Sequence, residues 1–169
     1  DQDGSDHRLG RALALAETLG LHLDAVALIE EPPFNYVAGA EIAVSAWAEQ
    51  VNETRQAAAA IAEAAATAAT ARGLSAGARA DTGVIGAISD IAALQARYSD
   101  VAIVGQPRAD ASGERLHNEV LDGCLFSSGR PVLMMPATGE GAPDLSRILI
   151  AWDAGRTAAR AVNDALRRG

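Results

Sequence analysis

Apolar positions along this chain change period several times, and the changes mark the elements. Leu9, Ala12, Leu13, Ala16 and Leu19 recur three and four residues apart, which places one apolar face on an opening helix. Ser5 or Asp6 is its expected N-cap and Gly20 its stop. A compact apolar run at 23–29 follows and reads as a strand, ended by Glu30-Glu31-Pro32-Pro33 because prolines cannot continue a central strand. From 40 to 72 the sequence is rich in alanine and free of glycine, with Val44, Trp47, Val51, Thr54, Ala58, Ile61 and Ala65 on one helical face. That spacing fits a coiled-coil seam or a helix lying close on a sheet, and the small residues favour the second. For the portion around Trp47 a surface facing a partner is the alternative. Gly73 ends the helix, and 74–82 forms a weak strand, poor in large apolar residues and therefore expected at a sheet edge. Val84, Ile88, Ile91, Gln95 and Tyr98 then mark a helix that Thr82 would cap.

The period changes again at 101–104, an unalternating apolar run that ends at Gly105, and at 132–135, a second such run after Gly129-Arg130-Pro131. Short runs of this kind suit parallel strands covered on both faces. Leu116, Val120, Leu121 and Cys124 supply the inward face of a helix between them. In open parallel sheets ligands bind at the carboxyl ends of the strands, which points to the loop after Gly105. Residues 137–145 have linker composition, 147–152 (RILIAW) reads as a fresh strand, and 157–168 as a helix. The segment from Asp3-Gly4-Ser5 to Arg11-Ala12-Leu13 is weakly repeated from Asp153-Ala154-Gly155 to Arg160-Ala161-Val162. Only the second copy has a strand before its aspartate, so a strand is expected to be missing from the front.

Composition narrows the function classes. The 169 residues suit one domain with an appendage, and a chain of about 150 residues buries roughly 70% of its unfolded surface, so a core needs no disulfide or metal. Fourteen basic and 22 acidic residues give a net charge of −8, which argues against general attraction to nucleic acid or to anionic membranes. Cys124 is the single cysteine, and no apolar stretch is long enough to span a bilayer. No signal peptide is visible, so with Asp1 near the natural start the cytoplasm is the default compartment.

With the Asp3-Gly4-Ser5 turn, VAIVG at 101–105, SSGRPVLMMP at 127–136 and the reopening RILIAWDAG at 147–155, the chain resembles the universal stress protein family in its tandem-domain type. The resemblance implies a Rossmann-like, doubly wound α/β fold: a parallel five-stranded sheet in the order 3-2-1-4-5 with helices on both faces. It divides the chain into a domain at 1–136, a linker at 137–146 and the start of a second domain at 147–169. It also implies a homodimer and unidentified protein partners. In that order the missing first strand would lie mid-sheet. An empty slot there leaves buried backbone groups without partners, at a cost of a few kcal/mol each. RILIAW is the expected filler, within the chain or by exchange with a neighbour, and finding 148–152 unpaired would count against it.

Nucleotide-binding members of the family carry Gly-x2-Gly-x9-Gly-Ser/Thr after the fourth strand. Anchored on Gly105 and Pro131, this chain reads Gly105-x2-Arg108-x9-Asn118-Glu119, so only the first glycine is kept. Arg108 brings bulk and a cation, whereas Glu119 would repel phosphate unless a metal intervened. Asp3, Gly105, Arg108 and Asn118 are accordingly the candidate cofactor-binding residues, for ATP or another adenine nucleotide. Asp3 and Asp153 match the family's acidic residue at the end of the first strand, but either can simply cap a helix. An off-register Gly113-x9-Gly123-Cys124 lies too close to Pro131. His7, His22 and His117 lack metal-ligand spacing, and Cys124 reads as a buried thiol, so no catalytic or metal set is assigned. Trp47 and Trp152 read as packing residues. The leading expectation is a non-enzymatic stress-response protein acting through dimerisation and partner contacts. A nucleotide-binding sensor or slow ATPase with a modified phosphate site is the alternative, and an unrelated enzyme on a similar sheet is a third reading.

Overall fold

The structure, a computed structural model, describes residues 2–34, 41–106, 114–136, 138–139 and 141–166, with side chains described outside 2–6 and 41–43. Helices and strands alternate in the order α1 (Gln2–Leu19), β1 (Leu23–Glu30), α2 (Glu41–Ala71), β2 (Ala76–Gly83), α3 (Ile88–Arg97), β3 (Ala102–Gly105), α4 (Glu114–Asp122), β4 (Val132–Met135) and α5 (Arg156–Leu166). A π-helical turn, Gly123–Ser127, extends α4.

The strands form two separate parallel pairs. β1 pairs with β2, from Leu23 opposite Ala76 to Glu30 opposite Gly83. β3 pairs with β4, from Ala102 opposite Val132 to Gly105 opposite Met135. This corrects the expected five-stranded sheet: the fold is α/β, but among the described residues it holds two two-stranded sheets. The run 147–152 lies outside any strand, with Ile148 64%, Leu149 97% and Ile150 53% exposed, so filling of the slot by the chain's own segment is rejected. Arg160 Nη2 of α5 donates to the carbonyl of Gly129 at 2.6 Å, just ahead of β4, and no residue of 147–152 enters a strand ladder.

Two apolar clusters hold the layers. Ala58 and Ala62 of α2 bury themselves on Ala27 of β1, with Ile29, Ala78 and Ala80 around them. Alanine facing alanine lets a helix sit close on a sheet, as the composition of the segment suggested. The buried face of α2 is Val51, Ala58, Ala62, Ala66 and Ala69, however, while Val44 and Ile61 are exposed. The second cluster joins Ala92 and Ala96 of α3 to Val104 and Cys124, and Leu28, Ala102, Val120, Leu121 and Val132 pack against it. On α1, Ala12, Leu13, Leu15 and Ala16 are buried.

Element ends follow local chemistry. Gly20 and Gly73 take the left-handed conformation, φ 64° and 79°, that closes a helix, and the amide of Leu21 returns to the carbonyl of Ala16 at 3.0 Å. The opening helix starts at Gln2, so Asp3, Gly4 and Ser5 lie inside it and form no turn, and neither Ser5 nor Asp6 is its cap. Thr82 does not cap α3 either. It is a β2 residue whose hydroxyl donates to Glu31, and α3 begins after Ala87 without a side-chain cap.

Candidate functional site

The carboxyl ends of β1 and β3 lie on the same side of the molecule. Arg115, at the start of α4, donates to Glu30 at the end of β1 (3.1 Å), and His117 Nε2 meets the carbonyl of Gly105 at the end of β3 (2.5 Å). Both strands therefore end beside α4. Between them opens a cleft of about 550 Å³. β1 contributes Val26 and Leu28 to its walls, β3 contributes Ala102 to Val104, and α3 and α4 add Ala96 and Val120. Arg8 and His117 supply charge and hydrogen-bonding capacity at the carboxyl end, and Asp24 and Arg79 at the amino end. A more open depression of about 470 Å³ between α2 and β2 has Glu63 as its one charged group and otherwise alanine and threonine walls.

Gly105 stands at the mouth of the cleft. A methyl group on its Cα would come within 2.5 Å of Arg8 Cδ, so the absent side chain is what lets Arg8 lie across the strand end. Arg8 itself has no hydrogen-bond or ion-pair partner among the described residues. The neighbouring carboxylates are engaged. Glu31 accepts from Thr82 Oγ1 (2.7 Å) and from Arg55 Nη2 (3.2 Å). Glu119 accepts the amide of Gly86 on both oxygens (3.0 and 2.9 Å), pinning α4 to the turn that leads into α3.

Of the four candidate residues from the sequence, the structure brings one to this place. Gly105 is at the strand end. Asp3 is within α1, its side chain outside the described part, and Arg108 lies outside the described residues altogether. Asn118 is exposed on α4. Asp153 Oδ1 caps a local turn by accepting the amide of Gly155 at 2.7 Å. Arg8, His117 and Glu30 were not singled out as site residues. His117 could have been found from its place within the x9 spacer, beside Asn118, whereas nothing in the pattern marks Arg8. The off-register motif fails on geometry: a side chain on Gly123 would collide with the backbone carbonyl of Ser89, so this glycine serves helix contact, and Gly113 lies outside the described residues.

The remaining chemistry-bearing side chains sit apart. His7 is exposed, and His22 bonds Ser75 Oγ (2.8 Å) and lies 3.5 Å from Asp24. Cys124 is buried, and burial pushes its thiol above the ordinary value of 9.0. Trp47 donates to the carbonyl of Pro32 at 2.9 Å and meets Phe34 edge to face, with ring centres 5.3 Å apart, while Trp152 is exposed. Among the described residues no three His, Cys, Asp or Glu side chains stand together as a metal site, and no helix is long and apolar enough to cross a membrane. Comparisons of this chain with protein-family models, with curated proteins and with solved structures find no match.

Proposed function

We propose that this chain is a non-enzymatic, cytoplasmic protein of universal stress protein type that acts through dimerisation and contacts with protein partners. The observation that carries this reading is the bond from Gly86 to Glu119. A phosphate loop needs free amides and a hydroxyl at the position Glu119 holds. Here that position carries a negative charge already committed to an amide of the neighbouring turn. Glu30 and Glu31 add further carboxylates at the same strand ends, each with a cationic partner. The experiment is to denature the purified protein, chromatograph the supernatant for co-purified nucleotide, and titrate nucleotide-free, folded protein with ATP and magnesium by calorimetry. Absence of both nucleotide and heat is expected. Stoichiometric binding would overturn the reading.

One observation favours the second reading, an adenine-nucleotide sensor or slow ATPase. Arg8, without a partner among the described residues, sets a cation over Gly105, at the end of a parallel strand where anions are commonly held. Under that reading ATP binds, and Arg8→Ala weakens it by about tenfold, the scale of one charge-assisted contact.

A further inference from the structure

Among the described residues β1 and β3 are each hydrogen-bonded to a strand on one side only, and both wall the same cleft. The cleft is walled by side chains of both strands and by apolar side chains from α3 and α4, and beside it each strand has an edge whose backbone donors and acceptors call for a partner. An apolar small molecule would fill the volume but leave those backbone groups unpaired. An extended peptide satisfies both walls at once.

The same chain exposes a segment of that description. Ile148, Leu149, Ile150, Ala151 and Trp152 are apolar without alternation, the pattern of a strand covered on both faces, yet they lie on the surface outside any strand. Six residues, 147–152, reach about 20 Å at the strand rise, enough to run beside the shorter β3 and most of β1. Charge sets the direction. Parallel to β1 and β3, the segment brings Asp153 to Arg8, unpaired among the described residues, at the carboxyl end and Arg147 toward Asp24, which Arg79 shares, at the amino end. Reversed, it would set Arg147 against Arg8.

We propose that the cleft between β1 and β3 receives residues 147–152 of a second copy of this chain, in parallel orientation, each copy giving its segment to the other. This deepens the partner-contact reading, and its test is independent of the nucleotide titration.

The test is sedimentation equilibrium on the full chain across micromolar to hundreds of micromolar, with amide hydrogen exchange on the resulting species. A concentration-dependent dimer is expected, with the amides of 148–152 protected in the dimer and free in the monomer. The double variant Ile148→Lys/Ile150→Lys changes side chains that are exposed in the single chain, so its circular dichroism stays that of the unaltered protein while the dimer is lost. Arg8→Ala weakens association about tenfold at low salt, and an unchanged constant would overturn the orientation. A chain that stays monomeric throughout, a dimer that survives the double variant, or a dimer in which 148–152 exchanges freely would overturn the exchange. Protection of 148–152 in a monomer would do the same, by showing that the segment enters its own cleft.

Discussion

The two strand pairs are covered in opposite ways. Over β1 and β2 a single long helix lies close, because its contact residues, Ala58 and Ala62, meet Ala27, Ala78 and Ala80. Around β3 and β4 larger side chains do the packing: Met135 of β4 is fully buried, and Leu28, Val120, Leu121 and Val132 close on Val104 and Cys124. One pair is held by closeness and the other by volume. The first should therefore resist enlargement, and the second should suffer from truncation.

The sharpest test is to truncate where volume does the packing. Met135→Ala is expected to cost about 2–5 kcal/mol, read as a lower urea midpoint at unchanged slope. The complementary enlargement, Ala58→Leu at a fully buried contact, should cost about 1–3 kcal/mol, and a neutral result would mean that α2 can lift from the sheet. Next comes the link between α4 and the turn before α3. Glu119→Ala removes the acceptor of Gly86 and should cost about 1 kcal/mol in urea unfolding. At the small end, Ile61→Lys should change stability by less than about 0.5 kcal/mol, because the side chain is 57% exposed. A large loss there would restore Ile61 to the core face that its spacing suggested.

Acidity offers a finer probe of the second half. Burial raises the Cys124 thiol above 9.0, so the folded state keeps a proton that the unfolded chain releases first. The stabilising contribution is complete below pH 9.0 and is lost as pH rises through the higher folded value. Urea midpoints measured from pH 8 upward should fall more steeply for the unaltered chain than for Cys124→Ala.

Much of the element order was legible from the pattern because it is written locally. The strands at 23–30 and 102–105, the long alanine helix and the glycine stops depend on neighbours in sequence. The inward face of α2 was not legible. By size Val44 and Ile61 compete for burial, but the sheet face, with Ala27, Ala78 and Ala80 beside Ile29, takes Ala58 and Ala62 opposite, and that is a property of the pair. The same holds for 147–152, whose composition is that of a strand but whose pairing depends on an edge being within reach. At the site, Gly105 could be read from the strand ending, whereas Arg8 and His117 reach it from separate helices. Glu119 was visible as a misfit to phosphate, and only the fold reveals the amide it holds.

The seam between the strand pairs also bears on how the molecule comes apart. Among the described residues no strand ladder crosses from β1 to β3, so the halves are joined by side-chain contacts such as Leu28 on the Val104 cluster and by single bonds such as Arg115 to Glu30. Cooperativity is transmitted weakly across such a boundary, and each half can open as its own unit at a free energy below that of global unfolding. The amides of β1 and β2 would then exchange with solvent on one timescale and those of β3 and β4 on another.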